Sequence, residues 1–215
     1  MNLETNNIFF KPWIGENYST GINGKKILIL GESHHCDKIC LDCGNLEILH
    51  NCDNNQTQNV ILDYFDYKRG TIPFNNRKWL NTFTKFANVF NNKKLNNNEL
   101  IAFWHSLAFY NYVQKALSGP RVSPSSEDFN NSLLAFHELI EYLKPDLIII
   151  WGMRLWYHLP KGIFFTKELN IKNELTAYYR KDNVKIPLKV IYHPSSSKLS
   201  YDHSIEINEF INNVS

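Results

Sequence analysis

An excess of charge of one sign is the first thing this chain lacks. Its 23 Lys and Arg stand against 21 Asp and Glu, a formal net charge of +2 over 215 residues. That balance excludes a protein that coats DNA through bulk positive charge. It leaves room for a local basic patch, because phosphate affinity depends on where the charges sit. Long apolar runs are missing as well, and nothing approaches the about 20 residues that span a bilayer. The opening MNLETNNIFF has no basic stretch followed by an apolar one, so no secretory signal is read there. The expectation is a cytoplasmic protein with no membrane partner, and nothing in the sequence specifies a protein partner. Cysteine is absent except for Cys36, Cys40, Cys43 and Cys52, all inside one short segment. In a reducing compartment that clustering raises a metal or redox question rather than a disulfide framework. No exact repeat occurs, and Asn-rich stretches such as NNKKLNNNEL read as loops.

What is present is an ordinary globular composition, 43% hydrophobic and 14% aromatic, enough for one domain over residues 1–215. Four apolar segments read as strands: Lys26–Leu30, Phe103–Val113, Asp146–Trp151 and Pro187–His193. The first and third are unbroken Ile/Leu runs, which suit strands covered on both faces of a parallel sheet. Helical periodicity fills the spaces, over Thr57–Lys68, Arg77–Phe90, Ser125–Leu143 and His203–Val214. In the third of these, Ser125 followed by Asp128 forms a capping-box signal and Pro145 marks the stop. Alternating strands and helices predict an α/β fold, a three-layer α/β/α sandwich with a central, mainly parallel four-stranded sheet.

Ligands of such sheets sit beyond the carboxyl ends of the strands. Those ends carry the unusual residues here. Gly31-Glu32-Ser33-His34 follows the first strand, Asn111 lies late in the second, Trp151-Gly152 follows the third, and His193-Pro194-Ser195-Ser196 follows the fourth. Glu32 has the chemistry to activate water or stabilise a cation, or to brace a turn. His193, held extended by the following proline, can donate to a leaving group as charge develops on it. The Asn111 amide offers both donor and acceptor to a base edge. Arg121 in SGPRVSP and the serines of HPSSSKLS suit phosphate contacts. Cys36, Cys40, Cys43 and Cys52 have the spacing C-x3-C-x2-C-x8-C, and four thiolates would close a tetrahedral structural zinc site over residues 36–52.

The motifs ILILGESHH, FYNYV, SGPRVSP, KPDLIIIWG and VIYHPSSSKLS, in this order between Lys26 and Ser200, resemble those of the uracil-DNA glycosylase superfamily. The resemblance implies an enzyme that flips a nucleotide from single- or double-stranded DNA and hydrolyses the bond between sugar and base, in repair or in defence against foreign DNA. It implies Glu32 and His193 as catalytic residues. Gly31, Ser33, His34 and Asn111 would line the base pocket, Arg121, Ser195 and Ser196 would hold the backbone, and Leu199 would wedge the duplex. Ser33-His34 replaces the usual proline of the first motif, and Ser196 the second proline of the last. These departures admit a modified base as well as uracil. Two other readings fit the same residues: a non-catalytic nucleic-acid binder of the same fold, and a metal-dependent hydrolase built on Glu32, His34 and His35.

Overall fold

The Ile/Leu runs lie side by side as the two central strands of a sheet. In the computed structural model, which describes residues 7–35, 53–73, 78–119, 122–162, 164–167 and 176–213, they form β2 (Ile27–Gly31) and β6 (Leu147–Trp151). β2 pairs in parallel with β6 on one side and with β4 (Ala108–Asn111) on the other. β9 (Val184–Ile191) continues the parallel set beyond β6. The four expected strands are therefore neighbours, but the sheet they build has seven. β1 (Trp13–Ile14) adds antiparallel to β4, while β8 (Thr176–Lys181) and β7 (Phe165–Lys167) extend the other edge. The order is β1-β4-β2-β6-β9-β8-β7, and a separate two-stranded ribbon joins β3 (His34–His35) to β5 (Ala116–Leu117).

Side chains alternate between the two faces of a strand, and each face of this sheet has its own core. Ile27, Ile29, Phe109, Ile149, Trp151 and Ile191 pack in one cluster. Most of its other members come from α1 (Gln56–Arg69), α2 (Leu80–Phe90), α3 (Asn97–His105) and α7 (His203–Asn213). Leu28, Leu30, Tyr110, Ile148, Ile150 and Val190 enter the other. There they meet α4 (Ser126–Asn131), α5 (Leu133–Leu143) and α6 (Met153–His158). Burial from both sides explains why β2 and β6 are apolar at every position rather than at alternate ones. Among the described residues no helix is long and apolar enough to cross a membrane.

Two expected elements take other forms. The segment read as one strand over Phe103–Val113 is helical at its start and extended only from Ala108. The Asn96 side chain accepts from the Glu99 amide while Glu99 caps the Asn96 amide, and this box starts α3 with Leu100, Phe103 and Trp104 on its buried face. The expected helix over Ser125–Leu143 begins at the Ser125–Asp128 capping box, yet it is two helices. Ser132 separates them, its hydroxyl donating to the Asp128 carbonyl (2.7 Å) while accepting from the Gln114 amide (3.0 Å). A serine bonded to the preceding turn competes with regular helix geometry. Cys36, Cys40, Cys43, Cys52 and Arg121 lie outside the described residues.

Candidate functional site

Sheet register brings the strand ends onto one rim. Gly31 stands opposite Asn111, Leu30 opposite Ile150, and Trp151 opposite Ile191. The Gly152 amide donates to the Ile191 carbonyl (2.9 Å), and a positive φ of 100° at Gly152 turns the chain from β6 into α6. A Cβ on Gly152 would lie 3.5 Å from that of His193. Gly31, Glu32, Asn111 and His193 thus occupy adjacent strand ends.

Asn111 is only 8% exposed and faces inward. Its Nδ2 lies 3.2 Å from both ring nitrogens of His34, whose Nε2 lies 2.8 Å from Thr57 Oγ1 at the start of α1. The arrangement is satisfied when His34 Nε2 donates to Thr57 and Nδ1 accepts from Asn111. Burial pushes the His34 pKa down to about 3, with nearby His35 adding to the effect, so this imidazole stays neutral. Gly31 is required beside this network, because a Cβ there would come within 2.2 Å of Asn111 Oδ1. With both ring nitrogens engaged, His34 is a bracing residue rather than a metal ligand. Among the described residues no group of three His, Cys, Asp or Glu side chains is placed to hold a metal ion.

Glu32 follows Gly31 by one residue and meets a partner that the sequence reading did not single out. Arg154, in the first turn of α6, grips the carboxylate with two parallel bonds, one from Nε to Oε2 at 2.7 Å and one from Nη2 to Oε1. Its remaining Nη1 donates to Ser123 Oγ at 2.8 Å. This planar fork fixes the carboxylate in orientation. The signal for Arg154 was its place two residues beyond Gly152 at a strand end. Nothing local marked Ser123 or Thr57.

His193 is held by its own loop. Its Nδ1 accepts from the Ser195 amide (3.2 Å) and lies 2.7 Å from Ser195 Oγ. An amide can only donate, so Nδ1 carries no proton in the neutral ring and Nε2 carries it. The ring stands edge-on to Trp151 with centroids 5.9 Å apart. Burial of its inner side lowers the His193 pKa, the Glu32 charge opposes that shift, and the Arg154 charge adds to it. His193 therefore sits within electrostatic reach of the Glu32–Arg154 pair.

The loop after His193 is partly as expected. Ser196 closes a turn through its amide to the His193 carbonyl, and its own carbonyl accepts from Lys85 Nζ of α2 at 2.6 Å. Ser33 and Ser196 are half-buried and Ser195 is exposed. Leu199 does not have the place expected of it. It is 1% exposed and belongs to the core cluster that includes α2 and α7, so it anchors the loop and presents no wedge to a duplex. An apolar side chain at the end of a polar loop found the core, the commoner fate of a leucine.

Together the rim offers a fixed carboxylate, a fixed imidazole N–H donor and an amide lodged between them and the core. Such a set can stabilise developing positive charge on one side of a scissile bond and negative charge on the other. No protein-family model matches this chain, and no curated protein is significantly similar to it.

Proposed function

We propose that the protein is a DNA glycosylase that hydrolyses the N-glycosidic bond of a flipped uracil or modified base. The observation that carries this reading is the pairing of a pinned His193, with its proton on Nε2, and a carboxylate, Glu32, at the ends of the two strands that flank β6. In the reaction the bond between the sugar C1′ and the base nitrogen breaks, and its electron pair leaves with the base. His193 Nε2–H donates to the departing base as that charge grows. Glu32, aimed by Arg154, faces the sugar cation, orients the water whose oxygen bonds to C1′ and takes the proton that this water loses, while the departing base anion takes up a proton from solvent. The carboxylate keeps lone pairs for that water, because each oxygen accepts only one bond from Arg154. Asn111 reads the base edge by exchanging its contact with His34 for one with the base. The sheet with its two helical covers is read as the three-layer α/β/α sandwich of this activity. Zinc on Cys36, Cys40, Cys43 and Cys52 rests on spacing alone and adds no chemistry to the step.

The test is mass detection of bases released from a panel of normal and modified DNAs, single- and double-stranded. Wild-type protein should release a base, and Glu32→Gln or His193→Ala should each lower the rate by at least about 100-fold while leaving the fold intact. A panel from which wild-type protein releases nothing would sink the reading. One observation favours a second reading, a binder without chemistry: each Glu32 oxygen already accepts a bond from Arg154, a pairing that also suits a purely structural carboxylate. That reading expects salt-sensitive DNA binding in wild type and in Glu32→Gln alike, with no base released by either.

A further inference from the structure

The loop that begins at His193 ends in the wall of a second concave site. A cleft of about 400 Å³ opens between α2 and the stretch Leu199–Tyr201, a size within the range of small-ligand sites. Val89 and Leu199, both buried, give it an apolar floor, while Tyr201 is 45% exposed at its side. Asn81 contributes an exposed amide and Ser200 a hydroxyl. Lys85 contributes the one cation among the lining residues, which include no acid. An apolar floor beside an aromatic ring suits a flat heteroaromatic ring, and an amide suits the polar edge of such a ring. A cation suits an anionic group on the same ligand, and the acid beside the cleft, Asp202, accepts from the Ser200 hydroxyl (3.1 Å). One ligand class combines all three properties.

We propose that this cleft holds an unpaired nucleotide of the strand bound at the rim, its base stacked on Tyr201 over Val89 and Leu199, its edge met by Asn81 and its phosphate faced by Lys85. The chemical class of the ligand rests on the glycosylase reading. The loop links the two sites physically. Its first residue is His193, its middle is latched by Lys85 to the Ser196 carbonyl, and its end is anchored by buried Leu199. A base seated against Tyr201 therefore bears on the loop that positions His193, and the identity of that base sets the sequence context in which the rim works. Eight residues separate His193 from Tyr201, at most about 28 Å of extended chain. At about 3.4 Å per stacked nucleotide, a strand of roughly eight to ten nucleotides reaches both sites.

Fluorescence polarisation with labelled single-stranded ten-nucleotide DNAs tests this on the full chain, with base release read on the same DNAs. Stacking on one aromatic ring is worth enough that Tyr201→Ala should bind about 5- to 150-fold more weakly. Tyr201→Phe should stay within about twofold of wild type, because the ring face is kept. Asn81→Ala should change the ranking of DNAs that differ at a single position. Tyr201 and Asn81 are exposed, so these variants should fold, and circular dichroism is the check. Wild-type protein that binds none of the DNAs, or Tyr201→Ala that binds as wild type does, overturns the proposal. Tyr201-dependent binding without base release keeps the cleft and removes the chemistry. Base release and binding that ignore Tyr201 keep the chemistry and remove the cleft.

Discussion

A buried histidine that cannot take up a proton couples this fold to pH. His34 protonates near pH 6.5 in an unfolded chain and only near about 3 in the fold, where burial penalises its charge. Between those values the unfolded chain holds a proton that the folded one refuses. The stability is complete above about pH 6.5 and is lost by up to about 1.4 kcal/mol per pH unit as pH falls through that window. Urea unfolding at pH 7, 6 and 5 should show a falling midpoint, and His34→Gln should fall less steeply over the same range. An equal slope in both would assign the effect elsewhere. Arg154 makes a different residue-scale prediction. Removing its fork leaves the Glu32 carboxylate unaimed, and loss of aim can cost a rate up to about 100-fold. Arg154→Ala should slow base release to that extent while the thermal midpoint moves only a few degrees. Arg154→Lys should recover little, because an ammonium group cannot make two parallel bonds to one carboxylate. Full recovery with lysine would show that only charge matters there.

At the scale of elements, the segment from β9 to α7 carries the next prediction. It contains the His193–Ser195 clamp, the Ser196–Lys85 latch and the Leu199 anchor. Leu199→Ala removes a fully buried side chain from the core and should cost about 2–5 kcal/mol in chemical denaturation. A wedge residue would behave the opposite way, with stability unchanged and activity lost on duplex DNA alone. Comparing denaturation with rates on single- and double-stranded substrates separates the two. The two-residue turn at Asp182–Asn183 between β8 and β9 shows how an element can pass unnoticed. Asp182 takes a positive φ of 52°, and Lys181 pairs with Val184 across the turn. An Asp-Asn pair between alternating residues is a hairpin signal, but β8 mixes Tyr, Arg and Lys and lies toward an edge of the sheet, where burial imposes no strict pattern.

For the whole molecule, near-neutral charge limits how DNA can be held. Two cations, Lys85 of α2 and Lys198, lie against or on the loop beside the rim. If each neutralises one phosphate of a single strand, the logarithm of affinity should fall with the logarithm of salt at a slope of about −1.4. That is roughly a 7-fold loss between about 50 and 200 mM salt. A slope several times steeper would require a larger basic surface than these two residues provide.

The sequence by itself determined the buried centre of the sheet and the place of its strand ends. Unbroken Ile and Leu runs can be satisfied only with both faces covered, so β2 and β6 were legible, as were Gly31, Glu32 and Gly152 at their ends and His193 beyond the end of β9. Capping chemistry likewise marked the start of α4, because Ser125 and Asp128 act over three residues. What pairs across long separations was decided only by the tertiary structure. The fork between Glu32 and Arg154 joins residues 122 positions apart, and the His34–Asn111 contact spans 77. Neither has a local signature, since a charge or an amide acquires its partner only when the strands take their order. Leu199 is the same lesson in reverse. The resemblance implied a wedge at that position, but burial is a property of the assembled core, and there the leucine is inside.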